Sequence, residues 1–388
     1  MRVRASGTFR RYAVDLRGFE GGARRLRDDG EAMEKRLQTH RFRSIDAAGS
    51  EVSSVGWCRG DGTTPRGFVA EEQWLGKVFG ATLRIDTKKL PAGALRVRRM
   101  EAEAAERREA GERIPPARRR EIVEKLEGEL MARMVPATAL YAAYWRPERG
   151  QLLLNASADA ANVAFRALFR ETFELAPEPQ PTATLAEQLV SAKKLADLVP
   201  AIFVDGGVVV MGDSAAFLGG EFLLWLWFWC ETEGGKFELP ELGEVGVAFD
   251  SLLELGGAEE GGKVIVRGDA PTRSTEAASA LLAGRLPLRA RLALACGEKT
   301  FEVTLSAASL DLEAVKVAAE AEEITDENLR AGDEQRAGWL FELCDLVDGL
   351  FAAFLALRVT PRFEEKVVPA MRDWIVARAR PRARAAAR

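Results

Sequence analysis

The longest uninterrupted apolar run in this chain is FLLWLWFWC, residues 222–230. A helix needs about 20 such residues to cross a bilayer, and this run is less than half that length, so it must be buried inside a folded domain. Large aromatics alternate through it at Trp225, Trp227 and Trp229. With residues 231–239 it reads as a hairpin whose aromatics fill a core or an interface between subunits. The N-terminal stretch MRVRASGTFRRYAVDL is basic but holds neither a long apolar stretch nor a small-residue cleavage site. The expectation is a cytoplasmic chain without a secretory signal or membrane span.

Two scarce residue types narrow the chemistry. The four cysteines, Cys58, Cys230, Cys296 and Cys344, are far apart and form no CxxC pair. Free thiols in the interior are expected, not a zinc knuckle or a disulfide framework. The single histidine, His40, excludes a histidine-rich metal centre and would have to serve any Ser-His-Asp triad alone. It follows the amphipathic pattern of Leu26, Met33 and Leu37, where a residue near the last helical turn more often meets terminal carbonyls than substrate. No metal and no cofactor are expected.

The formal net charge of the 388 residues is −4, which by itself argues against a polyanionic partner. Its distribution does not. Residues 1–150 hold 31 Lys and Arg against 22 Asp and Glu, whereas 201–260 hold one Lys against 12 acids. Residues 301–350 carry three basic against 13 acidic side chains, and 378–388 carry five Arg and no acid. Segregation of this kind lets one surface attract a polyanion while another keeps the chain soluble.

The order of elements predicts an α+β fold with a discontinuous body. Residues 1–90 and 136–199 read as a central α/β body, with a strand at 9–16, a helical pattern over 21–41, a strand at 81–86, a strand, turn and strand over 136–154, and helices at 159–173 and 184–198. Residues 91–135 are two charged helices broken at Pro115-Pro116, the second with Ile122, Leu126, Leu130 and Met134 at i, i+4 spacing. They read as a projecting tip. Residues 200–257 form an inserted acidic and aromatic segment read as hairpins. Residues 258–357 form a C-terminal α/β base, with a strand at 263–268, a helix at 274–283, strands over 288–306, and helices near 309–320 and 334–357. Residues 358–388 are a basic tail, disordered in part.

Several motifs invite an enzymatic reading and fall short. Residues 257–263 fit GxxxxGK, but Val264 stands where a phosphate-binding loop needs Ser or Thr, and a strand pattern follows where a helix should. Gly212-Asp213-Ser214 resembles the serine block of a hydrolase, yet no histidine follows residue 40. Basic clusters remain: Arg24-Arg25-Arg27, Arg96 with Arg98 and Arg99, Arg118-Arg119-Arg120, Arg285 with Arg289 and Arg291, and the tail. With no base-reading motif among them, contact with DNA would be to phosphates and blind to sequence.

At this point the residues resemble the RdgC family of recombination-associated proteins. The likeness lies in Ala32-Met-Glu-Lys-Arg-Leu-Gln-Thr-His-Arg-Phe with the pair Gly56-Trp57, and in Leu90-Pro91 leading into the charged helices that end at Pro136. It continues in the strands around Trp145 to Leu154, the helix after Ala158, Lys263-Val-Ile-Val-Arg, and the Leu282-Ala-Gly284-Arg285 turn. The resemblance implies a non-enzymatic homodimer that rings duplex DNA and restrains RecA-promoted strand exchange, nucleoid-associated in the cytoplasm, with RecA affected through competition for DNA. It implies phosphate contact by Arg285 and then Arg289, and a helical tip that meets the partner subunit; Arg291 and the tip arginines Arg96, Arg98, Arg99, Arg118, Arg119 and Arg120 are further candidates from the basic clusters. Where the family has Pro-Arg-Ala-Phe after the second charged helix, this chain has Pro136-Ala137-Thr138-Ala139, and Arg267-Gly268-Asp269-Ala270 replaces a Lys-rich stretch. The alternative readings are a protein-interaction module built on the acidic Trp-rich segment and a hydrolase using Ser214.

Overall fold

A computed structural model describes residues 7–17, 19, 21–45, 51–110, 114–204, 217–257, 262–318 and 329–379. Helices and antiparallel strands both contribute heavily, and the fold is α+β. The chain divides into two compact units. One holds Asp15–Glu148 with Ala158–Pro177, the other Arg2–Val14 and Arg149–Ser157 with Glu178–Arg388.

In the first unit the strand Val78–Thr87 pairs with Ser53–Cys58 on one side and Ala137–Arg146 on the other, with Trp57 opposite Leu83 and Leu83 opposite Tyr141. The helix Asp159–Phe173 buries Phe165, Leu168, Phe169 and Phe173, a three-to-four spacing that puts one apolar stripe onto the sheet. Trp57, Phe79 and Trp145 meet that stripe. Trp57 to Phe165 (6.3 Å, 87°) and Phe79 to Trp145 (6.3 Å, 84°) are edge-to-face, each contributing about 0.5–1.5 kcal/mol beyond the area it buries. The Trp57 indole N–H donates to Thr172 Oγ1 at 2.8 Å.

The pair Gly56-Trp57 now has a physical reason. The chain leaving the helix Gly30–Thr39 runs beside Ser53–Cys58, and a Cβ on Gly56 would lie 2.5 Å from the backbone of Phe42. Glycine permits that approach, and tryptophan anchors the strand in the aromatic core.

The charged helices are Ala92–Ala110 and Pro116–Arg133. The second opens on Pro116, which has no N–H to leave unpaired. Ile122 is buried while Leu126, Leu130 and Met134 are half-buried, the narrow stripe that the spacing predicts.

The second unit is a sheet in the order Val264–Arg267, Gly243–Gly256, Leu286–Cys296, Lys299–Ser306, Leu312–Ala318, Gly7–Val14, Gln151–Leu154, with Lys236–Leu239 paired to Gly243–Gly256. Three expectations need correction. The run at 222–230 is not a hairpin strand but lies in the helix Phe217–Thr232, buried from Phe217 to Trp227 and packed on Leu286–Cys296. A short run that is apolar throughout cannot separate a buried strand from a helix buried all round. Its glycines permit the packing, since a Cβ on Gly219 would stand 1.7 Å from the carbonyl oxygen of Ala307. The helix expected near 309–320 is instead the strand Leu312–Ala318, closing on Lys299–Ser306 and Gly7–Val14. And the C-terminal segment is helical through Val368–Ala379, with Val368, Met371 and Ile375 buried at helical spacing. Residues 380–388 lie outside the described residues.

Residues 200–257, expected as an insertion, thus supply a core helix and the strand Gly243–Gly256, which pairs with both Leu286–Cys296 and Val264–Arg267. Among them is Glu221, fully buried, whose carboxylate accepts Arg358 Nε at 2.7 Å and the amide of Ala201 at 2.7 Å. Arg358 donates onward to the Val199 carbonyl at 2.6 Å and lies over the ring of Phe363.

Candidate nucleic-acid interface

The helix Thr275–Leu282 ends in a glycine cap that places Arg285. Gly284 has φ +74°, its N–H donates to the Leu281 carbonyl at 2.9 Å, and the Arg285 N–H reaches back to Ala280 at 3.0 Å, the paired bonds of a left-handed helix stop. Arg285 emerges half-buried at the start of the strand Leu286–Cys296.

Along that strand Ala290, Leu292 and Leu294 face the core. Arg289 and Arg291 take the other face, as the alternation predicts, but that face is a ladder of ion pairs. Arg289 binds Glu313 and approaches Glu254 at 3.6 Å. Arg291 is buried, with Nε at 3.2 Å from Asp250, one terminal nitrogen at 2.5 Å from Glu302 and the other donating to the Ala314 carbonyl at 3.2 Å. Lys263 adds a contact to Glu254 at 2.8 Å and Lys316 one to Glu302 at 3.7 Å. Lys263, Arg289, Arg291 and Lys316 are thus matched by Asp250, Glu254, Glu302 and Glu313, and the strand presents a balanced surface.

The two charged helices are nearly balanced too, with ten basic and eight acidic residues between them. Arg98 pairs with Glu101 at 3.3 Å and Arg99 with Glu103 at 2.8 Å. Arg118 bridges Glu106 at 2.7 Å and Glu121 at 2.9 Å. Hydrogen bonds from Arg118 and Arg99 hold Glu106 and Glu103 below the ordinary carboxylate range. Arg119 is half-buried, its Nε without a hydrogen-bond partner. Arg96 and Arg120 are exposed and make no ion pair among the described residues.

The described arginines of the remaining clusters have local partners. Arg24 pairs with Asp28 at 3.4 Å, Arg27 stands over the Trp74 ring, and Arg25 lines a mixed-charge cleft with Asp29, Arg36 and Glu174. Arg378, first of the tail arginines, lies over the rings of Trp227 and Trp374, 4.7 and 5.0 Å from their centroids, and pairs with Glu231. After the second charged helix, Ala137 opens the strand Ala137–Arg146, and Thr138 hydrogen-bonds the buried Asp86.

Other motifs resolve simply. A strand, Val264–Arg267, follows the GxxxxGK run. Gly212-Asp213-Ser214 lies outside the described residues. His40 caps the helix Gly30–Thr39. All four cysteines are free, and burial pushes the Cys58 and Cys230 thiols up to about 12. Among the described residues no cluster of potential ligands fits a metal ion, and no helix is long and apolar enough to cross a membrane.

One group of cations escaped sequence reading because it is scattered over more than thirty residues: Lys35, Arg41, Arg43, Arg59 and Arg66. No long run of basic residues marks them, and only the fold brings their backbone segments together.

A family model described as "Putative exonuclease, RdgC" matches residues 22–199. Over these residues the chain is similar to the RdgC family. No curated protein matches it. The matched span takes in the Met33–Phe42 segment, the Gly56-Trp57 pair, the charged helices and the helix Asp159–Phe173, where most of the resemblance was read. The likeness at 263–305 falls beyond it.

Proposed function

We propose that this RdgC-like chain binds double-stranded DNA without sequence preference, as a homodimer that encircles the duplex, and restrains RecA-dependent recombination by competing for DNA. The observation that carries the reading is the family match over residues 22–199. The cation-rich half of the sequence supports it, since phosphate neutralisation needs positive surface and no base-reading element. Of the arginines singled out in the sequence, Arg96 and Arg120 are the most available for phosphate. Arg285, Arg98, Arg99, Arg118 and Arg119 join through their exposed parts, Arg289 by exchanging a carboxylate for a phosphate. Arg291 serves the sheet. The protein works at the nucleoid.

The interaction-module reading is the less favoured, because Trp225 and Trp227 are in the core of the second unit and, of the aromatics in that run, only Phe228 and Trp229 are half-buried. We propose that the chain binds DNA without cleaving it, despite the word exonuclease in the family model's description. End-labelled duplex incubated with protein and Mg²⁺ stays full length, and any ladder of shortened products overturns that.

The test of binding is fluorescence anisotropy on two unrelated duplexes of about 30 base pairs over a salt series. Six to ten neutralised phosphates give a slope of log K against log salt of roughly −5 to −9, equal for both sequences. A slope near zero, or strong preference for one duplex, sinks the proposal. Light scattering of the free protein at twice the 42.5 kDa chain mass is the expected result for a dimer.

A further inference from the structure

We infer a phosphate-binding surface on the first unit, formed by Lys35, Arg41, Arg43, Arg59 and Arg66, which takes the backbone of duplex DNA. The inference rests on the DNA reading above and assigns it a place. Three backbone segments bring these residues together. The helix Gly30–Thr39 carries Lys35 on an exposed turn and ends at His40. The next residues then run beside the strand Ser53–Cys58: Phe42 N–H donates to the Trp57 carbonyl at 2.8 Å and Trp57 N–H to the His40 carbonyl at 3.0 Å. That puts Arg41 and Arg43 along the sheet edge, where the carbonyl of Arg43 accepts the Ser54 hydroxyl at 2.6 Å.

The strand leaves into a tight turn, with Arg59 N–H donating to Thr63 at 2.9 Å and Gly62 N–H to Arg59 at 2.8 Å. The turn folds back so that the carbonyl of Arg66 accepts Gln38 Nε2 at 2.9 Å and Arg41 at 3.5 Å. Arg84, from the middle strand, clamps both ends. It lies 4.2 Å over the ring of Phe42, between Arg41 and Arg43, and donates to the Gly62 carbonyl at 2.9 Å, between Arg59 and Arg66.

All five cations are exposed, and none makes an ion pair within 4 Å among the described residues. Asp61, two residues after Arg59, accepts from the N–H and hydroxyl of Thr63 at 2.8 and 2.7 Å and also feels the Arg59 charge. Cations at a helix C-terminus have an ordinary structural reason, since they offset the helix dipole. That effect reaches only the last turn. Among the described residues Arg43 and Arg66, which lie beyond that turn, make no ion pair, and Arg59 feels only the charge of Asp61. Arginine forks fixed on a rigid sheet edge suit phosphate oxygens, which they bind in bidentate fashion, and nothing in the patch reads bases.

The test is the full-length chain with R41Q, R43Q, R59Q and R66Q combined, titrated by anisotropy against one random duplex over a salt series, beside the wild type and a variant with lysine at the same four positions. Each lost phosphate contact removes about 0.9 from the salt slope. The glutamine variant therefore binds with a slope shallower by roughly three to four and at least about tenfold weaker near 0.1 M salt, while the lysine variant keeps most of the wild-type slope. Thermal melts by circular dichroism should coincide, because the side chains stand in solvent. A glutamine variant that melts with the wild type and binds with the same affinity and slope overturns the patch and leaves the DNA reading intact. A wild-type chain that fails to bind duplex at low salt overturns that reading, and the assignment with it.

Discussion

Arg289 and Arg291 lie on a sheet among four carboxylates, whereas Arg41, Arg43, Arg59 and Arg66 stand exposed around a helix end and make no ion pair among the described residues. Arg289 with Arg291 and Arg41 with Arg43 look alike in sequence, as arginines two residues apart. Their physical circumstances differ. An arginine already held by two carboxylates has exchanged its hydration for partners inside the chain, and a phosphate must displace those partners before it gains anything. An exposed arginine on a fixed backbone gives up only water and counterions, and counterion release is what drives association with DNA. Pairing, more than the number of basic residues, separates the cations that hold this protein together from those that meet a ligand.

The buried limit of the paired class is Arg358 with Glu221. Burial raises the Glu221 carboxyl above its ordinary range against the opposing pull of Arg358. Removing one partner strands a charge in the core, so R358M is expected to lower stability by about 3–5 kcal/mol in urea unfolding, and E221L with R358M to recover much of that. A single variant within 1 kcal/mol of wild type would show that water reaches the pair. Neither should alter the salt slope of DNA binding by the folded protein.

On the open side of the comparison, G56A forces the Phe42 backbone away from the strand. A cost of about 1–3 kcal/mol is expected, as for other overpacked sites. Arg41 and Arg43 move with Phe42, so duplex binding should weaken as well. Loss of stability with unchanged affinity would detach the patch from the position that Gly56 fixes. The paired counterpart is R291Q. It leaves Asp250 and Glu302 short of a partner and should cost about 1–2 kcal/mol, again with the salt slope of the wild type. A slope reduced by about 0.9 would return Arg291 to the DNA surface.

Much of the fold was legible because its signals were local. The broken charged helices at 92–133, the Gly284 helix stop, and the strands from 286 to 306 are each written in a few adjacent residues. The run 222–230 was misread because periodicity disappears when every face is buried, and 312–318 because its strand partners lie far away in sequence. The site was the least legible. The sequence shows Arg291 but not Asp250 or Glu302 beside it, and it shows Arg41 and Arg66 but not that the turn after Arg59 folds back against Gln38. Clusters of arginine drew attention to the helices at 92–133, where glutamates three and four residues away neutralise them.

Arg84 links the two classes, since it is itself ion-paired yet holds both ends of the open patch. Its Nε lies 2.8 Å and one terminal nitrogen 2.6 Å from the carboxylate of Asp86, which also bonds Thr138. Burial pushes that carboxyl up, but the hydrogen bonds from Arg84 and Thr138 outweigh it, and it titrates below its ordinary range. A carboxylate with a lowered native pKa contributes stability that is present above its unfolded value of about 3.9 and is lost as pH falls through the native value. The wild type should therefore lose about 0.5–1 kcal/mol from this group on acidification below about pH 4, an amount typical of a modest ion pair. D86N has no proton to gain. Its stability at pH 7 should be lower and its decline below pH 4 shallower by the same amount, measured by urea unfolding at stepped pH. With the clamp weakened, D86N should also bind duplex slightly less tightly at pH 7 although it removes a negative charge, the reverse of what simple charge counting gives. Tighter binding by D86N would mean that the five cations keep their places without Arg84, and that their arrangement follows from the Gly56 approach and the turn alone.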